Sequence, residues 1–206
     1  MDPLATGISV LDREFGGGIP SGSIVVLTAN PASQSELILD RLARVRECQY
    51  LTTVRSVGAV EASLTLDDAE DETVVEDAAG DDPFATVLDA AEELPDGGTI
   101  VVDSVEPLES RGRGEYGEFL NDLQQRVDDV GGLAVLHAFK DPSTDQTRIV
   151  TEQIADIVFD LRTTVTGTEI ANRLVVPKFR GGAALEEPLK LKLTDSVTVD
   201  TSRDIA

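Results

Sequence analysis

The chain has 206 residues, 41% hydrophobic and 27% charged, within the globular range and long enough to bury roughly 70% of its unfolded surface without a disulfide or metal staple. It carries 39 Asp and Glu against 17 Lys and Arg, only four of them Lys, and its formal charge of -22 disfavours a broad DNA or anionic-membrane footprint, which needs clustered positive charge. A single Cys48 excludes a disulfide framework and a cysteine zinc site; with no run of 18 apolar residues and no basic-then-apolar leader, the expectation is one soluble, cytoplasmic domain over residues 1–206.

The predicted elements follow in chain order. Leu4 to Asp12 leads into Phe15 to Ser23, whose glycines and proline demand turns. Ile24-Val25-Val26-Leu27-Thr28-Ala29 is a short β-branched run of the kind buried on both faces of a parallel sheet. Asn30 to Ser33 reads as a loop, with Ser33 or Ser35 as N-cap, and Leu37, Ile38, Leu42 and Val45 then keep helical spacing. Cys48 reads as a small core residue at the end of that helix, and Gln49 to Val54 as a second strand. Residues 66–82 are acidic and read as a solvated excursion; a calcium loop would need alternating oxygen ligands about a central glycine. Asp82 to Leu94 predicts a helix with Phe84, Val87, Leu88 and Ala91 on one face. Thr99 to Ser104 is a buried strand ending in the carboxylate of Asp103, Gly114 to Val130 a helix, and Leu133 to His137 the next strand. Strands alternating with helices imply right-handed βαβ units on a parallel sheet. From Ile157 onward the character changes. Ile157 to Leu161, Glu169 to Val176, Leu189 to Leu193 and Val197 to Val199 read as strands joined by turns, an antiparallel extension.

Chemistry-bearing groups are few. His137 reads as a hydrogen-bonded strand-end residue. Ser104, Ser35 and Cys48 have no base that the sequence places beside them, so no hydrolase triad is expected. No cluster has metal-ligand spacing, and aromatic residues are too sparse for a single-strand stacking platform.

The ordered series resembles the RecA-like ATPase superfamily, and within it the KaiC/RadA-type archaeal members. Thr6-Gly7-Ile8 to Asp12 and Gly16-Gly17-Gly18-Ile19-Pro20-Ser21-Gly22-Ser23 are similar to that family's lead into its first core strand. Val101-Val102-Asp103-Ser104 resembles the Walker B strand. Ala155 to Arg162, Arg173 to Val176 and Pro177-Lys178-Phe179-Arg180-Gly181-Gly182 resemble the closing strands and the Lys-x-Arg-Gly motif. The resemblance implies a RecA-like α/β fold: a mostly parallel central sheet with helices on both faces and an antiparallel C-terminal extension. The acidic, Lys-poor composition is similar to that of proteins from salt-loving archaea, where a Debye length of about 3 Å in molar salt tolerates such charge.

The phosphate loop departs from the family. Where Gly-x-x-x-x-Gly-Lys-Ser/Thr is expected, the chain reads Ala29-Asn30-Pro31-Ala32-Ser33-Gln34-Ser35-Glu36. Ser35 takes the Lys position and Glu36 the magnesium-binding hydroxyl position, while Ala29, Ala32 and Gln34 replace glycines that let backbone amides approach phosphate. A unit charge at about 4 Å is worth about 4 kcal/mol at an effective dielectric of 20, so losing the Lys costs 10²-fold or more in affinity on the order of a few kcal/mol. The water-activating acid near the end of the second strand is also missing: Tyr50 to Ser56 holds none, and Glu61 is out of register. Asp103 keeps half of a magnesium site. Lys178 and Arg180, which in such rings reach the neighbouring subunit's nucleotide, remain and point to a subunit or partner interface.

The resulting expectation is a degenerate KaiC/RadA-like pseudo-ATPase with a regulatory or architectural role, binding itself or an active relative, with no catalytic residue, metal or cofactor. One alternative is an ATPase using ATP with Mg through Asp103, Lys178, Arg180 and His137. Another is a recombination or repair accessory that binds DNA, which the net charge disfavours. The resemblance also implies a head-to-tail homo-oligomer, while loss of the nucleotide that glues such interfaces leaves a monomer or dimer as the alternative.

Overall fold

Runs of β-branched residues with no polar alternation form the centre of the sheet. β1 (Ser23–Ala29) and β4 (Thr99–Asp103) are buried along their whole length, and β5 (Leu133–Phe139) up to its last residue. A computed structural model describes residues 2–64, 72–140, 147–167 and 169–199. The remaining strands are β2 (Cys48–Thr52), β3 (Thr73–Asp77), β6 (Ile157–Thr166), β7 (Glu169–Phe179), β8 (Leu189–Leu193) and β9 (Val197–Val199). Their order is β3-β2-β4-β5-β1-β6-β7-β8-β9. Pairings from β3 through β6 are parallel; those from β6 to β9 are antiparallel.

The two-residue period of the strands sorts the core into two layers. Val25, Leu27, Tyr50, Val101 and Val135 pack under α1 (Ser9–Glu14) and α2 (Glu36–Ala43). Ile24, Val26, Leu51, Ile100 and Leu136 pack on the other face against α4 (Pro83–Glu92) and α6 (Arg113–Asp129). Each such side chain contributes about 1.5–3 kcal/mol by leaving water. α3 (Val57–Glu61), α5 (Glu106–Glu109) and α7 (Thr147–Ile154) complete the helices of the described residues. Asp82 caps α4 by accepting the Ala85 amide at 3.1 Å, with Pro83 in the first turn. The entry to β1 rests on glycine. Gly18 has φ 135°, and a Cβ there would lie 2.1 Å from the Leu4 carbonyl oxygen. Only glycine permits the turn that bridges Leu4 to Ile19.

The architecture matches the sequence expectation of a mostly parallel α/β sheet with an antiparallel end; besides the short helices α1, α3 and α5, which were not expected, it differs locally in three places. The acidic excursion expected over 66–82 contains the edge strand β3, whose Glu76 and Asp77 face solvent and blunt the open edge; residues 65–71 lie outside the described residues. α7, which the sequence reading passed over, covers the sheet between β5 and β6. Cys48 begins β2 rather than ending a helix, and burial pushes its thiol pKa up.

Candidate functional site at the carboxyl ends of the central strands

In open α/β sheets, ligands collect beyond the carboxyl ends of the strands. Here β4, β5 and β1 are neighbours, and their register sets Asp103 beside His137 and His137 beside Leu27 on one face. The loop after β1 returns over that face into α2. Ser35 occupies the N-cap position of α2, but its hydroxyl does not cap the helix. It turns inward and lies 3.0 Å from His137 Nε2.

A closed chain of hydrogen bonds results. Asp103 accepts from His137 Nδ1 at 2.7 Å through one oxygen and from the Tyr50 hydroxyl at 2.9 Å through the other. Because an ionised carboxylate only accepts, His137 Nδ1–H donates to Asp103, and the Ser35 hydroxyl is the hydrogen-bond partner of Nε2. The Ser33 hydroxyl donates to Ser35 at 3.2 Å. His137 is fully buried, Ser35 is 1% exposed and Asp103 4%. Burial alone would raise the Asp103 pKa; the His137 and Tyr50 hydrogen bonds and the positive field of Arg55 outweigh it and hold the carboxyl below its usual range. Burial, and then the Asp103 charge, push the Tyr50 hydroxyl well above its ordinary value.

This corrects the expectation that Ser35 has no base partner. Ser35, His137 and Asp103 stand in the order nucleophile, base, acid. Attack on a substrate needs an open side at the serine, however, and this serine is enclosed and already accepts from Ser33. The arrangement therefore holds protons in fixed places rather than presenting a nucleophile.

The rest of the loop also serves its own needs. Asn30 accepts the Ala32 amide at 2.9 Å through its side chain and the Ser33 amide at 2.9 Å through its carbonyl. Ala29 is buried at the end of β1, Asn30, Pro31, Ala32 and Gln34 are exposed, and Glu36 lies in the first turn of α2, favourable to the helix dipole. A magnesium triphosphate does not fit these residues. Both Asp103 oxygens are taken by donors inside the protein, Ser35 brings an uncharged buried hydroxyl rather than a cation, and two of the loop amides are turned onto Asn30. No group of three His, Cys, Asp or Glu able to hold a metal ion occurs among the described residues.

Lys178 and Arg180 lie away from this chain, at the carboxyl end of α7. Lys178 donates to the Glu152 and Gln153 carbonyls at 2.7 and 3.0 Å. Arg180 donates to the Gln153 and Ile154 carbonyls at 2.8 and 3.0 Å and pairs with Asp156. Both cations complement a helix C-terminus, and burial together with Arg180 lowers the Lys178 pKa.

A second buried polar cluster joins α5 to α7. Arg148 donates to Glu109 at 2.7 and 2.9 Å, to Glu106 at 2.8 Å and to the Phe139 carbonyl at 2.9 Å. Burial opposes its charge, but the two glutamates outweigh it and raise its pKa. Beside the loop after β1, a groove of about 480 Å³ runs between Ser33 and Gln34 on one side and Thr163, Asn172, Leu191 and Leu193 on the other.

The fold is similar to that of KaiC-like α/β proteins. A KaiC-like protein from the hyperthermophilic archaeon Pyrococcus horikoshii OT3 superposes with a TM-score of 0.73 at 14% identity, over 96% of this chain and 98% of that one. The chain belongs to the family described as a family of unknown function (DUF7125), which matches residues 3–206. No curated protein matches it.

Proposed function

We propose that this is a KaiC-like domain that has given up nucleotide hydrolysis and acts through contacts with protein, itself or an active relative, in a regulatory or architectural role. The observation that carries the reading is the Ser35–His137–Asp103–Tyr50 chain. The residue at the phosphate-loop Lys position and the residue at the Walker B carboxylate position satisfy one another through His137, leaving neither for phosphate or magnesium. Opening the chain would strand buried polar groups at about 1–3 kcal/mol each. No magnesium-dependent ATP turnover above the contaminant level is the expected result, with Asp103→Ala leaving that level unchanged; turnover abolished by that change would contradict the reading.

The groove between Gln34 and Asn172 favours a second reading, a small-molecule site used for sensing rather than hydrolysis. Its size is within the range of ligand pockets. A melting shift with adenine nucleotide that does not depend on magnesium would favour this second reading over the first.

A further inference from the structure

The sheet forks between β7 and β8. Their antiparallel ladder covers only Asn172 with Leu191, Arg173 with Lys190 and Leu174 with Leu189. Towards the hairpin tip, residues 169–171 of β7 pair with β6 alone, while Lys192 and Leu193 of β8 pair with β9 alone. The two strand edges that face each other across the fork have no ladder partner among the described residues. The groove of about 480 Å³ lies in this fork, lined by consecutive residues, 169–173 of β7 and 190–194 along β8 and just past its end. Side chains of consecutive strand residues point to opposite faces, so they cannot all turn into the groove; the main chain itself forms its walls. An unpaired strand edge is a template for another extended chain.

Size and lining say what would fill it. At the usual strand rise, strand spacing and sheet spacing an extended residue occupies about 160 Å³, so the groove holds roughly three, the length of the unpaired stretch 169–171. Leu161 and Leu174 enter the core on the α2 side of the sheet, so the two-residue period puts Val165 and Ile170 on that side as well. These two are direct cross-strand neighbours and are 70% and 67% exposed. A single exposed apolar residue needs no explanation; an adjacent pair beside an unpaired edge marks a contact surface. Arg173 stands on the opposite side, just inside the fork and half-buried. Its neighbour Lys190 already has a partner within the chain, but Arg173 makes no ion pair with any described residue. In a chain with 39 acidic residues against 17 basic ones, a half-buried cation left unpaired is open to an acid from outside.

We propose that an extended segment of a partner protein, in which apolar and acidic residues alternate, adds to β7 in this groove as an extra strand. Its main chain completes the ladder of residues 169–171. An apolar residue opposite Ile170 packs on Ile170 and Val165. The acidic residue next to it lies opposite Ala171, on the other side of the sheet, and diagonal to Arg173. Diagonal cross-strand partners are about 7–8 Å apart, within reach of long side chains. In such strand addition the main-chain bonds supply affinity and the alternate side chains specificity. The proposal rests on the protein-contact reading above and names the surface and the chemistry of the partner.

Fluorescence anisotropy of a labelled, amidated Ser-Val-Glu-Val-Ser peptide with the full chain tests it. The wild type is expected to bind the peptide saturably. Methylating the glutamate main-chain nitrogen, which removes a ladder donor and leaves the charge, should weaken binding at least about tenfold. Ile170→Asp, at an exposed position, should do the same while melting with the wild type. Arg173→Glu should lose the glutamate peptide and bind the Ser-Val-Lys-Val-Ser peptide more tightly than the wild type does, a reversal that lost folding would not produce. No saturable binding up to millimolar peptide, indifference to the methylated nitrogen, or indifference to both substitutions would each overturn the proposal. So would displacement of the peptide by unlabelled chain, which makes a second copy the occupant, or by adenosine, which makes the groove a small-molecule site. ATP turnover abolished by Asp103→Ala would instead overturn the protein-contact reading and leave the peptide result standing.

Discussion

Ser35 and His137 are 102 residues apart in sequence and 3.0 Å apart in space, joined by a hydrogen bond between the loop after β1 and the strand beside it. That contact links the loop after β1 to Asp103 through His137, and its energetics can be tested one group at a time.

Removing the imidazole leaves a buried carboxylate and a buried hydroxyl without partners. His137→Ala should cost about 3–5 kcal/mol in denaturant unfolding, because two buried polar groups, one of them a carboxylate, lose their partner at about 1–3 kcal/mol or more each. The double variant Asp103→Leu/His137→Phe, which removes both polar partners, should cost less than the sum of the two single changes. Additive losses would show that the two groups do not depend on each other.

The pH profile follows from the directions of the shifts. Asp103 has a folded pKa below its unfolded value, so its contribution is present above about pH 4 and is lost as pH falls through the folded value. Tyr50 has a folded pKa above its unfolded value, so its contribution is present below about pH 10 and is lost as pH rises beyond it. Tyr50→Phe should therefore lower stability by about 1.5–3 kcal/mol near neutrality and flatten the alkaline limb. Urea titrations across pH for both proteins would reveal an unchanged alkaline slope if Tyr50 does not titrate this way.

Arg148 bridges α5 and α7 through Glu109 and Glu106. Arg148→Ala abandons two carboxylates, one of them deeply buried, and should destabilise by about 3–5 kcal/mol. Arg148→Met/Glu109→Leu should recover a large part of that loss, because an apolar pair needs no compensation. A double variant no more stable than Arg148→Ala would point to a different cause.

Gly18→Ala should be among the most damaging single-methyl additions. The new Cβ would fall 2.1 Å from the Leu4 carbonyl oxygen at a φ that L residues avoid, so the Leu4–Ile19 bridge must open. Gly16→Ala, where nothing lies within 4 Å of the added Cβ, carries only the backbone strain and should cost about 1 kcal/mol, so the difference between the two melts isolates the clash.

The central strands were legible because Ile24 to Ala29 and Thr99 to Asp103 are apolar on both faces, and a parallel strand between two helix layers leaves that trace. β3 was not: Val74 and Val75 are its only apolar residues, and an edge strand among Glu and Asp reads like the loop around it. α7 is eight residues whose inward face mixes Val150 and Ile154 with Thr147, Arg148 and Thr151, so its apolar stripe is only two residues long. Asp103 was legible as the polar end of an apolar strand, and Ser35 as a hydroxyl at the start of the helix that follows β1. Their connection was not, because it exists only once β1 is inserted beside β5 and the register sets His137 between them.

The most direct measurement is a thermal melt in molar KCl with and without millimolar Mg-ATP. A site closed by Ser35, His137 and Asp103 predicts an unchanged melting temperature. Nucleotide bound at 100 times its dissociation constant would add about 2.7 kcal/mol, roughly 5–11 °C for a chain of this size. A magnesium-dependent rise of that size, lost in Asp103→Ala, would contradict the account.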